Sequence, residues 1–200
     1  METLTAEIQK TITPSKAIEK LVEGNKRYVN QSMLTRNYKK QIEITSSGQA
    51  PFAVVLGCID SRAPIELIFD QGVGDIFGTR VAGNIINEDV LGSLEYSCKA
   101  AGSKLVVVLG HTKCGAVNAA CNDVKLGNVT ALLNKIKPAV NAVGGEMTPE
   151  NIETVALKNI ELSIEKIRKE STILNEMEQA GEIKIVGASY AVETGEVTFL

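Results

Sequence analysis

Three side chains with soft donor atoms stand out in this chain. Cys58 closes the apolar run FAVVLG, while His111 and Cys114 lie in the tetrapeptide HTKC that follows the apolar run KLVVVLG. His111 is the only histidine among 200 residues. Two thiolates and an imidazole suit zinc better than magnesium or calcium. Cys₂His is a ligand set of catalytic zinc, which keeps its fourth position open; structural zinc more often brings paired Cys-x-x-Cys knuckles, and the chain has none. The fourth position is then left to water or to a nearby carboxylate, and Asp60, two residues after Cys58, is the natural candidate. Arg62 stands beside it, and a bidentate arginine–carboxylate pair holds a carboxylate still. Held so, Asp60 can accept a hydrogen bond from water at the metal and aim its lone pair. Released, it could bind zinc itself and close the site.

These residues need elements that carry them to one place. Segments 51–57 (PFAVVLG), 74–83, 103–110 (SKLVVVLG), 181–192 and 195–200 read as strands. The first and third are apolar on both faces, which suits central parallel strands covered on each side. Helical stretches lie between them. Thr13-Pro14 is a start signal for a helix over about 15–30, and 149–171 carries a long apolar stripe of isoleucines and a valine. The pattern predicts an α/β fold: a mostly parallel sheet of about four parallel strands, an antiparallel C-terminal edge strand after the ETG turn, and helices on both faces. If the first and third strands are neighbours, Cys58, His111 and Cys114 converge at their carboxyl ends, where open α/β sheets bind ligands. Residues 31–50 are polar and read as loop. The expected organisation is a single domain over 1–200, with a helical arm at 1–48 and an α/β core at 49–200.

Composition excludes several classes. A net charge of −3 without a run of like charges argues against nucleic-acid binding. There is no apolar stretch of ~18 residues for a membrane span, and residues 1–16 lack the apolar core of a secretory leader. A cytoplasmic setting with reduced thiols is therefore expected. Cys98 and Cys121 fall on helical stretches without ligand partners and are expected to pack. Gly72, Gly74 and Gly78 do not open a helix after a strand, so they are not a dinucleotide fingerprint.

CIDSR together with HTKC resembles the signature of the β-class carbonic anhydrases. The similarity runs on through FDQGVGDIFGTRVAGN, LGSLEYSCKAAGSKLVVVLGHTKCGAV and IVGASYAVETGEVTFL. The resemblance implies one zinc ion per chain on Cys58, His111 and Cys114, an Asp60–Arg62 dyad, and reversible hydration of carbon dioxide to bicarbonate and a proton by attack of zinc-bound hydroxide. It further implies Gln49, Phe77 and Tyr96 as a substrate pocket of the plant-like subtype. Val55 stands where the other subtype has tryptophan, and Gly57 departs from the usual alanine of the plant-like enzymes. With the sole histidine used as a ligand, proton export would fall to external buffer. Homodimers or homotetramers are implied, with the N-terminal helix reaching across to a neighbour. A carbonyl sulfide or carbon disulfide hydrolase on the same scaffold, or a non-catalytic zinc module, are the alternatives.

Overall fold

The computed structural model describes residues 3–200. The chain opens with helices α1 (Ala6–Thr11), α2 (Pro14–Val29) and α3 (Tyr38–Thr45), then enters the sheet with β1 (Ala53–Gly57). A short α4 (Ile65–Ile68) leads to β2 (Ile76–Arg80), and α5 (Glu88–Glu95) runs into a π turn at Tyr96–Ala100 before β3 (Leu105–His111). Four helices follow: α6 (Gly115–Cys121), α7 (Gly127–Leu133), α8 (Lys137–Val143) and the long α9 (Pro149–Glu170). Then come α10 (Thr172–Gln179), β4 (Lys184–Tyr190) and β5 (Val197–Phe199).

The sheet order is β2-β1-β3-β4-β5, parallel except for the last pair. Successive side chains of a strand point to opposite faces, and here both faces are buried. Ala53 and Val55 of β1 join Leu105, Val107 and Leu109 of β3 in one apolar layer with Leu21 of α2 and Ile65 and Ile68 of α4. Val54 and Leu56 join Val106 and Val108 in the opposite layer, under Val90 and Leu94 of α5, Ile160 and Ile167 of α9 and Leu174 of α10. This is why 51–57 and 103–110 read as continuous apolar runs. At Gly110 an added Cβ would stand 2.7 Å from Cδ1 of Ile160, so glycine there lets α9 lie close on the sheet.

Two helices begin as their sequences indicate. Thr13 caps α2 by accepting from the Lys16 N–H at 3.2 Å, with Pro14 in the first turn, and Thr148 caps α9 the same way. The 31–50 segment does not: the loop expectation is corrected by α3. Its buried position is Gln41, while Ile42 is exposed, so the pattern of an amphipathic helix is inverted. Asn37 caps it by accepting from the Lys40 N–H, and Gln41 accepts from the Val73 N–H across to the sheet side. No helix among the described residues is long and apolar enough to cross a membrane.

Candidate metal centre

The chain order reverses at β1. β2 lies on one side of it and β3 on the other, which opens a crevice beyond their carboxyl ends. Cys58 is the first residue beyond β1, His111 is the last residue of β3, and Cys114 caps the start of α6. The neighbour relation on which convergence depended therefore holds. One donor atom from each of Cys58, His111 and Cys114 lies within 4.8 Å of the others, and all three residues are buried.

The donor chemistry fits a cation. The His111 Nδ1 lies 2.8 Å from the Thr112 carbonyl, which can only accept, so Nδ1 carries the hydrogen of the neutral ring. Nε2 then presents its lone pair, and it is buried with no hydrogen-bond partner among the described residues. A buried unpaired ring nitrogen beside two thiols is costly unless something cationic takes it. Hydrogen bonding from Cys114 holds Cys58 down to about 4, aided by the Gly83 N–H at 3.3 Å from its sulfur. The same bond to Cys58 pushes the Cys114 thiol well up, although the Val117 and Ala116 N–H groups at the start of α6 favour its thiolate. Burial alone would lower the His111 pKa, but the Cys58 sulfur, the Thr112 carbonyl and Asp60 raise it overall.

Asp60 and Arg62 form the fork expected from their spacing. Arg62 Nε donates to Oδ1 at 3.0 Å and Nη2 donates to Oδ2 at 2.8 Å, while the Arg62 backbone N–H adds 2.9 Å to Oδ1. Arg62 holds the Asp60 carboxyl well below the ordinary carboxylate range. Oδ2 stands 3.9 Å from the His111 Nε2, at the edge of the donor cluster.

The surrounding clamps were not legible beforehand. Arg80, at the end of β2, donates from Nε to the Cys58 carbonyl at 2.8 Å and from Nη2 to the Asp60 carbonyl at 2.6 Å. Lys113 takes the left-handed conformation (φ 54°) that tightens the HTKC turn. Its N–H donates to Glu153 Oε1 of α9 at 2.8 Å, and its carbonyl accepts from Arg62. Glu193 accepts from the Thr112 hydroxyl at 2.8 Å and pairs with Lys113 Nζ at 2.7 Å. Only the register of β1 with β2, Gly57 opposite Arg80, could have pointed to Arg80.

The expected pocket residues stand apart from the donors. Phe77 and Tyr96 meet edge to face, ring centroids 6.1 Å apart, in a groove with Val54, Thr79 and Ser93 that contains none of the three donors. Phe77 lies opposite Val54, four residues before Cys58, so it sits ~13 Å back along the sheet at 3.3 Å per residue. Tyr96 is 60% exposed, and Gln49 is exposed near Gly74.

Known proteins share this layout. The family model described as carbonic anhydrase matches residues 53–197. The chain is 35% identical to carbonic anhydrase 2 of Mycobacterium tuberculosis over 190 residues, 91% of this chain and 90% of that protein. It is 33% identical to a carbonic anhydrase of Mycolicibacterium smegmatis, covering 92% of each. The solved β-carbonic anhydrase CcaA superposes with a TM-score of 0.73 at 27% identity, over 91% of this chain and 94% of that one. The chain belongs to the β-class carbonic anhydrases, the zinc-dependent enzymes of reversible carbon dioxide hydration.

Proposed function

We propose that this chain hydrates carbon dioxide at one zinc ion held by Cys58, His111 and Cys114. The observation that carries the reading is the meeting of three soft donors within 4.8 Å of one another, beside a carboxylate fixed by a bidentate arginine. When bound, zinc supplies Lewis acidity that makes water a nucleophile near neutral pH.

The chain's own groups do the positioning. Asp60 is ionised throughout the physiological range and acts only as an acceptor. Its Oδ2, 3.9 Å from the His111 Nε2, would accept a hydrogen bond from a water at the donor cluster and aim that water's lone pair at carbon dioxide. Arg62 keeps that oxygen from swinging onto the donors, so the arrangement supports the open form of the site. Gln49 would hold a substrate oxygen, and Phe77 and Tyr96 would wall an apolar slot for a small linear molecule. Their distance from the donors of the same chain supports a homodimer or homotetramer in which one subunit's slot faces another's metal. The plant-like subtype, a single domain over 1–200 and a cytoplasmic setting are part of the same reading.

Two variants test it. Metal analysis of the purified protein is expected to give about one zinc per chain, lost in Cys58→Ser. Asp60→Asn is expected to keep the metal while carbon dioxide hydration falls about 100-fold, the range of a positioned acid–base group. Full activity in Asp60→Asn would remove Asp60 from the mechanism, and zinc retained in Cys58→Ser would remove the ligand set.

A further inference from the structure

We infer that Asn159, in the middle of α9, is a positioning residue that sets the donor strength of the Cys58 sulfur through Gly83; this rests on the zinc reading above. The chain of contacts is short and buried. Asn159 is 4% exposed, and its Nδ2 donates to the Gly83 carbonyl at 2.9 Å. The Gly83 N–H donates in turn to the Cys58 Sγ at 3.3 Å.

The turn between these two bonds is closed by a single backbone bond, from the Asn84 N–H to the Val81 carbonyl at 2.9 Å. Gly83 (φ 67°) and Asn84 (φ 42°) are consecutive left-handed residues. Such a conformation costs free energy at a non-glycine residue and persists only where its surroundings over-determine it. The Asn84 side chain adds no bond through its Nδ2, which is buried without a partner among the described residues. A larger residue at 83 is also closed off, since a Cβ there would stand 2.6 Å from Cδ1 of Ile136. Glycine is the residue with the widest freedom in φ and ψ. Its N–H and its carbonyl belong to successive peptide units joined only by its own φ and ψ, so fixing the carbonyl from α9 removes freedom that would otherwise let the N–H turn away from the sulfur. A hydrogen bond to a thiolate withdraws electron density from the sulfur and aims its remaining lone pairs, as do partners outside the ligand set at other metal sites.

The test uses cobalt(II) and zinc(II) on the full chain. Cobalt binding by the unaltered protein, with a sulfur-to-cobalt charge-transfer band lost in Cys58→Ser, establishes the centre itself. In Asn159→Leu the band is expected at lower energy, because a sulfur without its N–H donor gives up charge more easily. The zinc dissociation constant, read by chelator competition, is expected to rise about tenfold. Ser163→Ala, one turn further along α9 and also buried, serves as control and leaves both readouts unchanged. Asn159→Ala reads the same band should Asn159→Leu not fold. An unshifted band with zinc affinity within twofold of the unaltered protein, in whichever variant folds, overturns the assignment. Absence of cobalt binding by the unaltered chain overturns the zinc reading instead.

Discussion

Cys58 and Cys98 are both buried thiols, and their surroundings push them in opposite directions. Cys98 lies in the apolar layer beneath α5, where burial lifts it to about 12 and leaves it an inert packing group. Cys58 sits against donors and is held down to about 4. The Cys114 thiol is held up by its contact with Cys58 and by burial, and a cation binds sulfur as thiolate, so binding both sulfurs expels a proton. The sign follows directly: binding releases protons, so lower pH weakens it. Zinc affinity is expected to fall about tenfold per pH unit for each proton released, as measured by chelator competition between pH 8 and pH 6. A pH-independent affinity would show that no proton leaves when the cation binds. At this scale the sequence was most legible. Two thiols, one imidazole, an aspartate and an arginine have few joint uses, whereas Glu153, Glu193 and Arg80 are ordinary surface residue types until contacts show what they hold.

Among the elements, the 30–37 segment and α2 are tied to the end of α4 by one carboxylate. Asp70 is fully buried, pairs with Arg27 at 2.5 Å and with the buried Arg36, and accepts from the Leu34 N–H at 3.2 Å. Burial would raise its pKa, but the two arginines and the N–H outweigh this and hold it below the ordinary carboxylate range. Removing one member of a buried ion pair strands the other. Asp70→Ala is therefore expected to lower the unfolding free energy by about 3 kcal/mol in urea titration. A depressed carboxylate stabilises the fold above the unfolded value of about 3.9 and loses that contribution as pH falls through the folded one. The variant should accordingly show a flatter loss of stability below pH 4. Strands and capped helices were legible because apolar runs and cap residues act locally. α3 was not, because its structure depends on a glutamine that reaches another part of the chain.

Across the whole molecule, Tyr38, Ile42, Ile59, Leu67 and Tyr96 leave large apolar side chains exposed. α3 and Gln49 approach the same glycine, Gly74, which places part of this surface beside an expected pocket residue. Light scattering is expected to give a mass two or four times 21.4 kDa. Ile42→Glu should shift it toward the single chain and reduce hydration activity with zinc retained. A fully active single chain would show that each subunit is self-sufficient. The sequence by itself determined the donor set, the dyad and the α/β alternation, because each is written in residue type and local spacing. Only the tertiary structure decided that β1 and β3 are neighbours and that α9 supplies Glu153 and Asn159 to the loops around the donor cluster. It also decided that Phe77 and Tyr96 stand away from the donors. Strand order and helix placement come from burying both sheet faces at once, a balance over the whole chain that no short segment carries.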